Sequence, residues 1–237
     1  AASDVYKRQE QFGADASSLF NVITGYSRPP EYKHFIVAPH GMRSFFEYMI
    51  RQETENAKKG LPSGITVKVN SLVDPKIIEL LYEASKAGVR VQLIVRGICC
   101  LIPGIEGVSE NITVMSIVGQ LLEHSRIFRF ENAGNPRIYM GSADWMPRNL
   151  DRRVELVFPI EDETQKARAF GILDTMLSDT TNARFMQSDT SYEHVDLRGK
   201  KKISSQLTFY HEAQARLKEL QSIEKDSVLI PIHSAEE

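Results

Sequence analysis

Short apolar segments of strand length alternate with amphipathic helical segments along most of this chain, and this alternation limits the fold more than any other feature. The strand-length segments cover residues 34–39, 65–70, 89–95, 112–118, 126–130, 137–141 and 154–159. Helical patterns cover residues 42–58 and 75–86. Asp74 and Pro75 are typical of a helix start, and Gly88 is typical of a helix end. The alternation predicts an α/β sandwich around a mixed β-sheet.

The chain before the first strand has two parts. Residues 1–9, AASDVYKRQ, have no apolar period that continues into the next segment, and we interpret them as a non-native leader. Residues 12–26 have the pattern of a short helix, which the break at Pro29 and Pro30 follows. We therefore expect the main folded unit to begin after these prolines.

The chain after residue 159 is predicted to be helical, so the segment 154–159 is expected to close the set of strands. Residues 163–178 and 207–223 have apolar side chains at helical spacing. Residues 188–202 lie between them and are polar and rich in turn-forming types, which predicts a loop. The sequence thus predicts C-terminal helices outside the sheet.

Composition limits the kinds of ligand that this chain can attract. Its 237 residues can bury one substantial core, and its formal net charge of -2 gives no general attraction to nucleic acid or anionic lipid. A site for a polyanion must then be a local concentration of Arg and Lys. The two cysteines, Cys99 and Cys100, are adjacent, so we expect no disulfide and a reduced, intracellular compartment.

The strongest chemical signal is the segment EHSRIFRFE, residues 123–131. His124 and Arg126 are two positions apart on a predicted strand, so they share a face. A histidine there can transfer a proton or a phosphoryl group while the arginine holds phosphate oxygens. Glu131 follows at the end of the strand and is predicted to orient a partner. The alternative is a half-buried strand with one structural histidine, which an isolated His-x-Arg pair usually indicates.

A second segment, YMGSADWMPRNLDRRVE at residues 139–155, favours the functional interpretation of His124 and Arg126. A strand ends there in glycine and is followed by small residues, polar residues and three arginines. The candidate phosphate-binding groups are Ser142, Arg148 and Asn149. The carboxylates that can orient a histidine or an arginine are Asp144 and Glu155. Any one arginine alone would indicate a plain surface charge, but the cluster behind a strand end predicts a phosphate site.

Arg96 is a third candidate. It follows the apolar strand at residues 89–95 and precedes Gly97. Its guanidinium is therefore expected at the carboxyl end of a strand, where α/β proteins usually bind ligands. The alternative is an arginine that simply leaves the strand into solvent.

These segments together make the chain resemble a known family. The stretches VNSLVDPKIIELLYEASKAGVRVQLIVRGICCLIPG, LLEHSRIFRF and GSADWMPRNLDRRVELVFPI closely resemble the second C-terminal domain of the large polyphosphate kinases, and SLFNVITGYSRPP resembles the tail of the domain before it. On this resemblance the chain divides into the leader at 1–9, the tail of a preceding catalytic domain at 10–33, a phospholipase-D-like domain at 34–187, and a loop with a C-terminal helix at 188–237.

The resemblance implies a phospholipase-D-like fold and an ATP-dependent reaction. The family transfers the terminal phosphoryl group of ATP reversibly to polyphosphate, with Mg²⁺ and through a phosphohistidine. The phospholipase-D-type pattern His-x-Lys-x4-Asp is met in altered form by His124, Arg126 and Glu131, which argues against diester hydrolysis. Arg96 and His124 match family residues that contact the nucleotide phosphates. His124 would be the acid/base or phosphate-stabilising partner of the nucleophile.

The resemblance also implies that this chain supplies half of a site. In the family the phosphorylated histidine and the Mg²⁺-binding residues lie upstream, so we expect no metal ligand in this chain and no activity from it alone. The expected partners are ATP, ADP and polyphosphate, without nucleic acid. The family suggests a cytoplasmic homo-oligomer with occasional peripheral association at the inner membrane. Two alternatives stay open, a phospholipase-D-like phosphodiesterase and a non-catalytic polyanion-binding module.

Overall fold

A computed structural model describes residues 2–28, 31–199 and 201–226. Its helices are α1 (Ala2–Ile23), α2 (Met42–Lys58), α3 (Pro75–Lys86), α4 (Pro147–Asp151), α5 (Glu163–Leu177) and α6 (Ser205–Asp226). Its strands are β1 (Ile36–Ala38), β2 (Gly64–Val69), β3 (Arg90–Val95), β4 (Ile112–Ile117), β5 (Ile127–Phe130), β6 (Arg137–Gly141), β7 (Glu155–Pro159), β8 (Ala183–Met186) and β9 (Tyr192–His194). Within these ranges no helix has both the length and the apolar character needed to cross a membrane.

The strands form one mixed sheet in the order β1-β7-β6-β5-β2-β3-β4-β8-β9. The neighbours β2, β3 and β4 are parallel, and every other neighbouring pair is antiparallel. Parallel neighbours need crossover connections, and α3 provides the one between β2 and β3. The predicted mixed sheet is thereby confirmed.

Helices cover both faces of the sheet, because alternate side chains of each central strand are apolar on opposite sides. Val67 and Val69 of β2 belong to a core with Phe46 of α2 and Leu80 of α3. On the other face, Leu173 of α5 belongs to a second core, which also includes Ile94, Met115 and Ile127 of β3, β4 and β5. The layers are therefore helix, sheet and helix, as an α/β sandwich requires.

The sequence located most elements correctly, including the start of α3. The side chain of Asp74 accepts a hydrogen bond from the backbone N–H of Ile77 at 3.0 Å, and Pro75 occupies the first turn. This cap is held in turn by Arg43, which contacts both oxygens of Asp74 at 3.0 and 2.6 Å. The predicted capping role of Asp74 is confirmed.

Three predictions about elements were wrong. The strand set does not close at β7, because β8 pairs with β4 and β9 pairs with β8. The segment 188–202 is not all loop, since β9 lies within it; all three β9 side chains are exposed, so the strand has no apolar alternation to reveal it. The first helix begins at Ala2 rather than at residue 12.

The segment before β1 is tied to the domain by one carboxylate. Asp15 of α1 accepts hydrogen bonds from the backbone N–H groups of Lys33, His34 and Phe35 at 3.1, 2.7 and 3.0 Å. Burial tends to raise the pKa of Asp15, but these hydrogen bonds outweigh it and lower the pKa below its ordinary value. The charged carboxylate thus fixes α1 against the entry to the sheet.

Glu53 of α2 is a fully buried carboxylate that connects three elements. Its oxygens accept hydrogen bonds from the backbone N–H of Gly64 at 2.9 Å and of Asn132 at 2.6 Å. These groups begin β2 and the 3-10 turn Asn132–Gly134. Glu53 therefore satisfies two backbone donors that the sheet itself leaves unpaired.

Replacing Glu53 by Ala should lower the free energy of unfolding by about 2–4 kcal/mol, because two buried N–H groups lose their acceptor. Urea denaturation measures this loss. Glu55→Ala on the same helix is the control, since Glu55 is exposed and pairs only with Lys58 at the surface. Equal urea midpoints for the two variants would contradict the proposed role of Glu53.

Candidate active site

One edge of the sheet collects most of the predicted site residues. This site edge consists of the carboxyl ends of β2, β3 and β6 and the amino ends of β5 and β7, which the strand registers place side by side. The residues at it are Arg96, His124, Arg126, Ser142, Asp144 and Glu155. A Cβ on Gly97 would lie 2.9 Å from the backbone oxygen of Asn70, so glycine lets the ends of β2 and β3 approach closely.

A nearly buried ion pair forms the centre of the site edge. The Arg126 guanidinium donates from Nε to Asp144 Oδ1 at 3.2 Å and from Nη2 to Oδ2 at 3.0 Å. Asp144 Oδ1 also accepts the backbone N–H of Asn70 at 2.7 Å. Burial tends to raise the pKa of Asp144, but the hydrogen bonds and charge of Arg126 and the Asn70 N–H lower it overall. Asp144 is thus charged and holds Arg126 in place.

His124 is exposed at this edge and is oriented by Arg126. Arg126 Nη1 donates to His124 Nδ1 at 2.9 Å and to the backbone oxygen of His124 at 2.9 Å. An arginine cannot accept a hydrogen bond, so Nδ1 carries no proton and the neutral ring is protonated at Nε2. Desolvation lowers the pKa of His124, and the charges of Arg126 and Arg96 lower it further. His124 therefore presents an Nε2–H donor at neutral pH.

Arg96 lies directly after β3 and is half-buried. Its backbone N–H donates to the Val69 oxygen at 3.2 Å, and its own oxygen accepts from Ser116 Oγ at 3.2 Å, so the backbone is fixed at the strand end. Among the described residues its guanidinium pairs with no carboxylate. Its charge is close enough to lower the pKa of both His124 and Lys68.

Ser142, Asn149 and Glu155 form a separate group beside this pair. The Ser142 hydroxyl and the Asn149 side-chain N–H both donate to the Glu155 carboxylate. Ser142 Oγ also accepts the backbone N–H of Leu156 at 3.1 Å. These bonds occupy the donor hydrogen of Ser142, and Asn149 is only 3% exposed. Phosphate binding by these two residues stays a prediction, and the partners of Glu155 are Ser142 and Asn149 rather than the predicted histidine or arginine.

Two other predicted residues, Arg148 and Glu131, lie outside both of these groups. Arg148 lies on α4 and is exposed, and within the described part of the chain its side chain has no hydrogen bond or ion pair. Glu131 follows the far end of β5, where its N–H donates to Gly64 at the start of β2 and its carboxylate contacts Arg129 at 3.3 Å. Glu131 therefore lies at the end of the strand, as predicted, but at the edge opposite His124, and its orienting role stays a prediction.

Comparison with known proteins identifies the family of this chain. Residues 35–206 match the family described as polyphosphate kinase C-terminal domain 2. The chain belongs to the polyphosphate kinase family.

Its relatives include the polyphosphate kinases of Lactiplantibacillus plantarum, 48% identical over 90% of this chain and 30% of that protein, and of Parasynechococcus marenigrum, 53% identical over 77% and 26%. The crystal structure of polyphosphate kinase from Porphyromonas gingivalis matches with a TM-score of 0.81 and 36% identity, over 85% of this chain and 31% of that one. The chain thus spans less than a third of the length of these polyphosphate kinases.

The residues of this polyphosphate kinase domain do not fit a Mg²⁺ site of their own. Across residues 2–28, 31–199 and 201–226 there is no group of three or more His, Cys, Asp or Glu side chains that could hold a metal ion. Asp144 is the carboxylate at the centre of the site edge, and its oxygens already accept from Arg126 and Asn70. Mg²⁺ prefers oxygen ligands in octahedral geometry, which cationic side chains cannot supply.

Sequence reasoning missed two residues of this polyphosphate kinase site, Lys68 and Asn70. Both come from β2 and its carboxyl end, and both are buried. The side-chain nitrogen and oxygen of Asn70 have no hydrogen-bond partner in the described structure. The available signal was the segment ITVKVN, in which Lys68 and Asn70 are two positions apart and so share a face, together with Thr66.

Asp144→Asn should lower the free energy of unfolding by about 3 kcal/mol at pH 7, because it leaves the Arg126 charge without its carboxylate. The folded-state pKa of Asp144 is lowered, so its stabilising contribution is present above the unfolded pKa of about 4 and disappears as the pH falls through the folded value. Urea denaturation at several pH values measures both effects.

The difference between wild type and Asp144→Asn should therefore be constant from pH 7 to about pH 5 and should shrink below about pH 4. Asp174→Asn is the control, because Asp174 is exposed and pairs with Arg129 at the surface at 3.6 Å. A pH-independent difference for Asp144→Asn would contradict the ion-pair assignment.

Proposed function

We propose that the protein containing this chain is an ATP:polyphosphate phosphotransferase and that this chain supplies one wall of its phosphate site. Two groups at one sheet edge carry the proposal: the Arg96 guanidinium, which has no carboxylate partner among the described residues, and the His124 ring, which presents Nε2–H. Both groups are donors to anionic oxygens. Membership of the polyphosphate kinase family supports ATP and polyphosphate as the anions that they bind.

The chemistry of phosphoryl transfer suits such a wall. The transferred group needs charge neutralisation and in-line positioning more than covalent participation by the protein. Arg96 can neutralise equatorial phosphate oxygens, while Asp144 keeps Arg126 engaged with His124 rather than with substrate. His124 can donate a hydrogen bond from Nε2–H to the leaving oxygen and so stabilise the charge that develops on it.

His124 is poorly suited to be the nucleophile. Attack on phosphorus needs a free nitrogen lone pair, but Arg126 occupies the lone pair on Nδ1 and a proton occupies Nε2. We therefore assign the phosphohistidine to another histidine, which the family resemblance places upstream of this chain. The same resemblance is the basis for proposing Mg²⁺ as a cofactor with ligands outside this chain. No step proposed for these residues passes through the ion.

The family resemblance also supports the wider properties that we propose for the whole protein. These are a cytoplasmic location, a homo-oligomeric state and occasional peripheral contact with the inner membrane, without nucleic acid as a partner. They rest on the resemblance and on no contact within the described residues.

The role of His124 can be tested in a chimaera in which this chain replaces the matching region of the Lactiplantibacillus plantarum polyphosphate kinase. We expect ATP-dependent polyphosphate synthesis, and a fall in kcat of about 100-fold or more in His124→Ala, because the donor at the transferred group is lost. His194→Ala is the control, since His194 is exposed on β9. Near-normal synthesis by His124→Ala would refute the assigned role.

The isolated chain provides a separate test of the missing nucleophile. After incubation with radiolabelled ATP and Mg²⁺, we expect neither polyphosphate nor acid-labile label on the chain, because Nδ1 and Nε2 of His124 are both occupied. Label on His124 would overturn the division of roles. Polyphosphate binding without turnover, even in the chimaera, would instead favour the polyanion-binding module, and diester hydrolysis without ATP would favour the phosphodiesterase.

A further inference from the structure

The segment that carries His124 has little backbone support of its own. Within the described structure, residues 120–125 make no backbone–backbone hydrogen bond, and Leu121 and Leu122 are exposed. One side-chain anchor is Gln206 of α6, which bonds the N–H of Leu121 at 3.0 Å and its oxygen at 2.6 Å. This anchor lies before His124, and Arg126 bonds His124 itself through the ring and the backbone oxygen. The residues on either side of His124 need a second anchor.

Lys68 provides that second anchor. Its Nζ donates to the backbone oxygen of Ser125 at 3.0 Å and lies 3.5 Å from that of Glu123, so its two acceptors lie on either side of His124. The Glu123 carboxylate closes the same turn by accepting the Ser125 N–H at 2.9 Å. The segment on both sides of the imidazole is thus bonded to one ammonium group on the rigid strand β2.

The burial of Lys68 is costly and needs an explanation. The residue is 1% exposed, and its surroundings include the apolar side chains of Ile117, Met176 and Phe209. A lysine in such a place pays a desolvation cost that an apolar residue of similar size would avoid. The face of β2 that carries Lys68 also carries Thr66 and Asn70, but those two side chains are neutral, so Lys68 is the charged group buried on this face. Packing alone therefore does not account for an ammonium group at this position.

We propose that Lys68 is a positioning residue that holds residues 123–125, and with them the His124 imidazole, in place against Arg96 and the bound phosphates. This inference rests on the proposed phosphoryl transfer for its consequence in catalysis. Lys68 does not touch substrate and acts through the backbone on either side of His124. Loss of its two hydrogen bonds should displace Nε2–H from the transferred group, and displacements of about 1 Å at a reacting group can cost about 100-fold in rate.

The charges around Lys68 make its hold on residues 123–125 depend on pH. The pKa of Lys68 is lowered to about 8, chiefly by burial; the charges of Arg96 and Arg126 also lower it, and those of Glu123 and Asp144 oppose them. The neighbours on α5 and α6 that line its cavity, which are Met176, Ser205, Gln206 and Phe209, carry no charge. Above about pH 8 the ammonium loses its proton and its hydrogen bonds lose their charge assistance, so the hold on residues 123–125 weakens.

Stability should respond in the opposite direction from activity. The folded pKa of Lys68 is lower than the unfolded value of about 10.4, so the unfolded state binds more protons between these values. The contribution of Lys68 to the free energy of unfolding therefore rises as the pH increases from about 8 to about 10. A fall in activity over that interval would then not be caused by a loss of the Lys68 contribution to stability.

The test uses the chimaera with Lys68→Met, Lys68→Arg and the exposed control Lys86→Met, and measures kcat and KM for ATP from pH 6.5 to pH 9.5. Wild type and Lys86→Met should lose kcat above about pH 8. Lys68→Met should have kcat reduced about 10-fold or more at pH 7.5, with KM changed less than about 3-fold and no such alkaline decline. Lys68→Arg should recover part of kcat and keep it at higher pH, since arginine stays charged.

Amide hydrogen exchange of the 237-residue chain gives a readout that does not depend on activity. Lys68→Met should lose protection at the Ser125 amide, whose N–H donates to Glu123, while β3 and β4 keep theirs. Uniform loss of protection, or an unchanged alkaline decline in Lys68→Arg, would overturn the positioning role and leave the proposed function intact. A chimaera that is inactive with Lys68 present would overturn the proposed function, and this inference with it. If Lys68→Met does not fold, the wild-type and Lys68→Arg profiles decide.

Discussion

The bidentate contact between Arg126 and Asp144 is the interaction on which the site edge depends. It joins the segment before β5 to the segment after β6, and through the Asn70 N–H it also joins the end of β2. These strands are neighbours in the sheet, but their ends diverge as loops, and a sheet alone does not fix loop side chains. One carboxylate with several donors converts the diverging ends into a rigid surface, because each of its hydrogen bonds removes an alternative arrangement.

The ion pair also determines which charge at this edge is available to a ligand. Asp144 compensates Arg126, and Glu123 lies close enough to raise the pKa of Lys68, but the Arg96 guanidinium has no carboxylate partner among the described residues. Gathering these cations costs free energy that a folded protein recovers only in part. An anion that arrives at Arg96 supplies the remaining compensation. The proposed binding of phosphate would thus offset the electrostatic cost of gathering these cations.

Sequence patterns revealed this edge but not the contacts within it. Apolar alternation located the central strands, and the capping pattern at Asp74 and Pro75 located α3, because both are local signals. Arg96 and His124 could be placed at strand ends for the same reason. Which sheet edge Glu131 faces could not be predicted, because spacing along a strand does not tell which end faces the site. Lys68 was missed because a lysine that alternates with apolar residues usually indicates a solvated face, and its long-range acceptors are not visible in the sequence.

The departure from the phospholipase-D-type pattern has a geometric reason in this fold. Arg126 occupies the position of the pattern's lysine, and it bonds Asp144 through Nε and Nη2 while Nη1 reaches both Nδ1 and the backbone oxygen of His124. A lysine presents its three N–H groups from one point and cannot span those acceptors, whereas the planar guanidinium can. The arginine therefore fixes the tautomer of His124 as well as its position. A lysine lies on the neighbouring strand, at Lys68, and it bonds the backbone oxygens on either side of His124 instead of reaching a ligand.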